Sequence, residues 1–389
     1  MLILPTQFGR RDHRVGRPNF RFVLMLYSIL GFLPGRWTVF ANLGAIHSLG
    51  VAMSTPAHLE QSAVVLDEPG NPGTMRMSQV GVPPPGPGDI RLEVLACGLN
   101  PVDWKLAQSG LPGWSWPHVL GQDIVGIITD VGPDGDQSDL GRYAVVHQDM
   151  RRNGGLAESV VVSSAAAARL PAGIDATAAA AVPCPALTAL QATERTLISP
   201  DNNVLIIGAA GAVGTFATQF TAQKISEVDS SGGKITAVTG PSDIERAQRL
   251  GADDVIDYTR GPLLEQLGER RFDVILDLVG TSSSTEIGSL LGYCGRLASV
   301  NRPIWGSPPF TNSPTLVEIA LGAIYTTGTK SNLLDMASSL GSIIEMVLAD
   351  DLIPVKTQIA ALDEAPQLLS AMAKGELHDK PVIRVKEAA

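Results

Sequence analysis

The chain has 389 residues, 44% of them hydrophobic and 17% charged, with a formal net charge of −10 and a mean hydropathy of +0.16. That is long and apolar enough for roughly two domains with a sizeable core, which excludes wholesale disorder. With 29 basic residues against 39 acidic ones, it offers no global positive field to nucleic acid.

Residues 1–52 differ in character from the rest of the chain. Arg10, Arg11, Arg14, Arg17, Arg21 and Arg36 stand against the single acid Asp12, and the apolar run Phe22–Leu33 lies among them. The run is shorter than the roughly 20 residues of a membrane span. It matches a signal-peptide core, and the Arg-rich, acid-poor flank suits a mitochondrial presequence. Met53-Ser54-Thr55-Pro56 also reads as an ordinary cytosolic start. An upstream extension, a targeting segment and a membrane anchor are all compatible with these residues.

Residues 53–185 read as strands and turns. Gln61–Leu66 is the first expected strand. Val82-Pro83-Pro84-Pro85-Gly86-Pro87-Gly88-Asp89 is a turn, because proline lacks the N–H and glycine permits positive φ. Ile90–Ala96 alternates as a half-buried strand does, and Asp123–Val131 and Tyr143–Val146 follow. Over 186–340 the pattern changes to βαβα: strands at Asn203–Ile207, Lys234–Thr239, Asp254–Asp257 and Phe272–Asp277, with helices at Val213–Lys224 and Ile244–Leu250. Continuous apolar strands alternating with helices predict a parallel, doubly wound sheet. Residues 341–389 end in a strand, Pro381–Val385, expected to return to the β-rich domain. Cys97, Cys184 and Cys294 are odd in number and far apart. They predict neither a disulfide framework nor a CxxC metal clip, but small buried hydrophobes in a reducing compartment.

The sharpest local signal is Val204-Leu205-Ile206-Ile207-Gly208-Ala209-Ala210-Gly211-Ala212-Val213-Gly214. A buried strand runs through a glycine turn into a helix, whose N-terminal N–H groups and dipole suit a pyrophosphate. The next strand ends Val238-Thr239-Gly240-Pro241-Ser242, without the acid that NAD-binding units place there for the ribose 2′-hydroxyl. Thr239, Ser242 and the following Arg246 suit a 2′-phosphate, so NADPH is the expected cofactor. Asp243 sits nearby and counts against that expectation unless it is an ordinary helix cap.

The body resembles the medium-chain dehydrogenase/reductases, in their zinc-independent quinone oxidoreductase and enoyl reductase branch. Gly98-Leu99-Asn100-Pro101-Val102-Asp103-Trp104-Lys105, Pro117–Gly126, Ala181–Leu190, the glycine loop and Leu250–Tyr258 carry the resemblance over residues 60–386. It implies a GroES-like β-rich catalytic domain built from both chain ends, with a Rossmann domain inserted between them. Zinc-dependent relatives carry Cys where Asn100 stands and Gly-His-Glu where Gly121-Gln122-Asp123 stands. Cys184 matches a third ligand position, but one thiolate cannot build a site that needs three protein ligands, so no metal is expected. By resemblance, Asn100 bonds cofactor ribose or substrate, Thr188 holds the nicotinamide carboxamide, Tyr258 stacks near the adenosine, and Val279 and Gly280 line the nicotinamide ribose.

Without a metal, hydride delivery to a quinone or an α,β-unsaturated carbonyl is easier than alcohol oxidation, because the negative charge spreads over an enolate or hydroquinone oxygen. Lys105 is the candidate to stabilise or protonate that oxygen. Asp103 either orients Lys105 or caps a helix. Trp114, Trp116 and Trp305, in Gly/Pro loops, either flank a flat acceptor or anchor the domains. Two other readings fit the same residues: an enoyl reductase acting in trans on acyl chains held by a carrier protein, and an NADPH-binding protein without turnover. The resemblance also implies a homodimer. The cytoplasm is the expected compartment, or the mitochondrion if residues 1–52 act as a presequence.

Overall fold

The computed structural model describes residues 60–227, 232–280, 284–300 and 312–387. The expectations for residues 1–52, Met53-Ser54-Thr55-Pro56 and Trp305 lie outside these.

The first part begins with β1 (Glu60–Leu66) and β2 (Arg76–Gly81), followed by β3 (Asp89–Gly98), α1 (Pro101–Ser109) and β4 (His118–Val119). It continues through β5 (Asp123–Val131), β6 (Tyr143–His147), β7 (Ser159–Ser163) and β8 (Ala167–Leu170). β1 pairs with β2 and β4, while β3, β5, β6 and β8 lie side by side in a larger antiparallel run, with β7 on β3. Residues 82–88 form the connection that Pro83-Pro84-Pro85 and the glycines predict.

Two helices, α2 (Ala176–Ala180) and α3 (Pro183–Arg195), carry the chain into a second sheet. There β9 (Asn203–Ile207), α4 (Ala212–Ser226), β10 (Lys234–Thr239), α5 (Ile244–Arg249) and β11 (Asp254–Asp257) form one half. α6 (Leu263–Leu267), β12 (Phe272–Asp277), α7 (Ser284–Gly288), β13 (Leu291–Val300) and β14 (Thr315–Ile319) form the other. The strand order is β11-β10-β9-β12-β13-β14, all parallel. β9 shows why both faces must be covered. Val204 and Ile206 pack into one core cluster, Leu205 and Ile207 into another, and all four are buried. Alternate side chains of a strand point to opposite faces, so a continuous apolar run demands a layer on each.

α8 (Ile324–Thr327) and the long α9 (Lys330–Leu348) lead back. β15 (Thr357–Ala361), α10 (Ala365–Lys374) and β16 (Lys380–Arg384) complete the described chain. β16 pairs antiparallel with β3, Val382 opposite Gly98, and parallel with β15. The first sheet is therefore closed by strands from the far end of the chain. Among the described residues no helix is long and apolar enough to cross a membrane.

Candidate active site: a nucleotide loop facing a filled polar cluster

β9 ends at Gly208, whose φ of +82° is strained for any residue with a side chain. A Cβ on Gly208 would also lie 2.5 Å from Val279 Cγ2, so the glycine brings Val279 against the loop. A Cβ on Gly214 would stand 2.0 Å from Gly208 O. Its absence lets α4 sit directly on the turn. The first bond of α4 is Thr215 N–H to Gly211 O, 2.8 Å. The N–H groups of Ala212, Val213 and Gly214 precede it and, among the described residues, stay open at the helix start. This cradle, which Cβ atoms would fill, fits a dinucleotide pyrophosphate.

The loop looks across a pocket of about 440 Å³. Ala210, Ala212, Ser242 and Lys356 line one part, and Leu99, Asn100, Pro101 and Lys380 another. Tyr258 is exposed and its ring lies beside Gly240, the tip of β10. Gly280 N–H donates to Asp277 Oδ1 at 2.8 Å, which folds the turn carrying Val279. These expected cofactor residues therefore gather at the carboxyl ends of the parallel strands, where open α/β sheets take ligands. Thr239 is buried at the end of β10. Thr188 is buried in α3 beside Cys184.

Arg246 behaves differently from the expectation. It is buried, and its Nη2 donates to Thr215 Oγ1 at 3.2 Å and Pro354 O at 2.8 Å. Its helix position turns it towards α4 and the returning chain. The cation beside Ser242 is Lys356, whose Nζ meets Asp243 Oδ1 at 2.8 Å. Sequence reasoning missed it because it lies 113 residues away.

The polar cluster centres on Asp123, which is fully buried. Oδ2 accepts from Asn100 Nδ2 at 2.8 Å and Lys380 Nζ at 3.2 Å. Oδ1 meets His147 Nδ1 at 2.8 Å and accepts from Cys184 N–H at 3.0 Å. Burial pushes this carboxyl up, but Lys380, His147 and Asn100 outweigh it and hold it below the usual range. Asn100 is buried and turned inward; its Oδ1 accepts from Lys380 Nζ at 2.5 Å. Asp103 caps α1: Oδ2 accepts Asn100 N–H at 2.7 Å and Oδ1 accepts Gly121 N–H at 3.1 Å. Of its two expected roles the geometry displays the cap. Burial raises its carboxyl to about 7, against those two N–H bonds, with Asp123 adding to the rise.

Lys105 is exposed on α1, 5.6 Å from the centre of the Trp104 ring. Partial burial lowers its pKa from the usual lysine value. Trp114 is buried, stacks on His118 at 3.8 Å and donates from Nε1 to Met150 O at 2.9 Å, the behaviour of an anchor. Trp116 is exposed, edge-on to Trp114. All three cysteines are free, but Cys294 is exposed rather than buried. Burial, aided by Asp123, pushes the Cys184 thiol up to about 12. Gln122 Oε1 is buried and has no hydrogen-bond partner among the described residues.

Two family models match, an alcohol dehydrogenase GroES-like domain over residues 86–172 and a zinc-binding dehydrogenase over 250–383. The chain belongs to the medium-chain dehydrogenase/reductase superfamily. Over 376 residues it is 29% identical to the NAD(P)H oxidoreductase RTN4IP1, mitochondrial, of Mus musculus, covering 86% of this chain and 92% of that protein. It is 31% identical over 209 residues to a chloroplast envelope quinone oxidoreductase homolog of Arabidopsis thaliana, 51% of this chain and 61% of the relative. The quinone oxidoreductase of Coxiella burnetii has the same fold, with a TM-score of 0.70 at 22% identity over 84% of this chain and all of that one. Family and cradle together make this medium-chain dehydrogenase/reductase an oxidoreductase that uses a nicotinamide cofactor and a small-molecule substrate.

Proposed function

We propose that the protein is an NADPH-dependent, metal-free reductase of quinones or α,β-unsaturated carbonyls, acting as a homodimer. One observation carries the reading: the glycine loop and the Leu99-Asn100-Pro101 turn line the same pocket. A dinucleotide on the loop would thus present its reactive end to the start of α1. When bound, the nicotinamide supplies a hydride to the acceptor.

The chain's own residues do the rest. Gly208, Gly211, Ala212, Val213 and Gly214 cradle the pyrophosphate; Val279 and Gly280 support the nicotinamide ribose, and Thr188 its carboxamide. Ser242 and Thr239 offer hydroxyls to the 2′-phosphate, and Lys356 offers charge in the place first expected of Arg246. Asp243, the nearest acid, is already paired with Lys356, which disfavours recognition of a free 2′-hydroxyl. Tyr258 stacks at the adenosine end. Both ends of the Asn100 amide are engaged inside, so Asn100 shapes the pocket floor rather than reaching for substrate. The acceptor must therefore spread its own negative charge, as quinones and enones do. Lys105, with its lowered pKa, supplies the proton or stabilises the developing oxyanion. We place the body in the cytoplasm, with residues 1–52 the segment that would redirect it to the mitochondrion.

The test is oxidation of NADPH by the purified chain with an ortho-quinone, an enone and a 2-enoyl thioester side by side, NADH serving as control. Turnover of quinone or enone with NADPH supports the reading. Preference for the thioester moves the protein to acyl-chain reduction, with a carrier protein as its partner. Binding of NADPH without turnover leaves a non-catalytic binder.

A further inference from the structure

Lys380 opens β16 with its side chain 3% exposed. An ammonium has three N–H bonds to place, and three acceptors surround this one: Asn100 Oδ1 at 2.5 Å, Leu99 O at 3.1 Å and Asp123 Oδ2 at 3.2 Å. On the other side of the same carboxylate stand His147 and Cys184. One atom each of Asp123, His147 and Cys184 lies within 4.8 Å of the others, a grouping with the nitrogen, oxygen and sulfur donors that bind zinc.

The carboxylate is nevertheless saturated. Its two oxygens offer about four lone-pair sites, and Asn100, Lys380, His147 and the Cys184 N–H take four contacts. A divalent ion would have to break these bonds and share a buried carboxylate with an ammonium, where like charges repel strongly in a medium of low dielectric. The residues therefore do not fit the zinc that the name of the matching family model suggests.

We infer that Lys380 is the resident cation of this cluster: its ammonium closes the Asp123–His147–Cys184 group to divalent metal and fixes the Asn100 amide at the pocket floor. It is a positioning residue. The inference rests on the metal-free reading proposed above and adds the group responsible for it.

The test is equilibrium dialysis of the full purified chain against Co²⁺ and Zn²⁺, read as metal content and as the visible and near-ultraviolet absorption of thiolate-bound Co²⁺. Wild type is expected to take up no stoichiometric metal. Lys380→Met is expected to bind one equivalent with the thiolate band, and Cys184→Ser on that background to lose the band. Lys380→Arg keeps a cation in place and is expected to fold and stay metal-free. If wild type binds one equivalent that Cys184→Ser abolishes, the metal-free reading and this inference both fall. If wild type and a folded Lys380→Met both stay metal-free, only the role of Lys380 falls. Should Lys380→Met fail to fold, Lys380→Arg decides: a folded, metal-free protein supports the inference, and metal uptake overturns it.

Discussion

Asp103 is a carboxyl with no room to hold its charge cheaply. It is fully buried, faces Asp123, and has its pKa raised to about 7. The folded state thus holds this proton more tightly than the unfolded chain, whose Asp titrates near 3.8. Between those two values the native protein binds more protons, so this group's contribution to stability falls as pH rises and is lowest above 7. Asp123 works in the opposite sense, since its lowered pKa loses stability only on acidification below the usual carboxylate range. Buried His118, its pKa lowered to about 4, opposes this fall below about pH 6.5. Melting curves should therefore show stability falling with pH between about 6.5 and 7.5, and Asp103→Asn should remove that fall. Asp103→Asn also replaces one acceptor by a donor and lowers stability at pH 5, by about 1–3 kcal/mol. An unchanged slope in the variant would remove Asp103 as its cause.

Lys356 is the second residue with a consequence of its own. Its ion pair with Asp243 is half-exposed, where one such interaction is worth about 1 kcal/mol or less. Lys356→Ala should raise KM for NADPH by up to about fivefold. The NADH value should stay or fall, because Asp243 is released to meet a 2′-hydroxyl. An equal rise for both cofactors would place Lys356 outside 2′-phosphate recognition.

At the scale of elements, the β9–α4 joint depends on an absent methyl. Gly214→Ala puts Cβ 2.0 Å from Gly208 O and 2.6 Å from Ala209 O, both backbone atoms, so the helix must leave the strand. Loss of several kcal/mol of stability and of NADPH binding is expected, measured by melting and by cofactor fluorescence. Gly211→Ala is the control. Its φ is −69° and the nearest atom to a new Cβ is Gly208 O at 3.3 Å, so folding should survive.

This joint was also the most legible part of the sequence. Strand, glycines and helix are contiguous, so local spacing reports them; β9, β10, β11 and β12 emerge where apolar runs predict them. β2, β4, β7, β8, β13, β14 and β15 were not anticipated: glycines and polar residues interrupt the apolar run of β13, and β7 is placed by its pairing with β3, Val162 opposite Ile90. The site divides in the same way. Cradle residues are local, whereas Lys380 reaches Asn100 across 280 positions and reads in sequence as an ordinary strand-capping lysine. Arg246 was identified by type, but its direction is decided by Pro354 O, which no local pattern reveals.

At the scale of the molecule, the returning chain clasps the nucleotide-binding sheet. The amide of Gln219 on α4 pairs with both backbone groups of Ile353: Nε2 donates to its O at 3.1 Å, and Oε1 accepts its N–H at 2.7 Å. Arg246 holds Pro354 next to it. These contacts set where Lys356 stands relative to Ser242. Gln219→Ala should cost about 1–3 kcal/mol, lower the melting midpoint by several degrees, and weaken NADPH binding although Gln219 lies outside the pocket lining. Unaltered affinity in a destabilised variant would separate the clasp from the cofactor site.

The order in which the chain is made gives β16 a further significance. During synthesis the first part of a polypeptide begins to fold before the last part exists. β3 and β5 are complete long before Lys380 leaves the ribosome, 257 residues after Asp123. Until then the Ala96–Gly98 end of β3 keeps an open edge and Asp123 lacks its ammonium, while the nucleotide-binding sheet already has all its strands. The nascent protein thus holds every strand of its second sheet before its first sheet can be sealed, so a chain that stops before Lys380 has the glycine cradle but an unfinished floor beneath it.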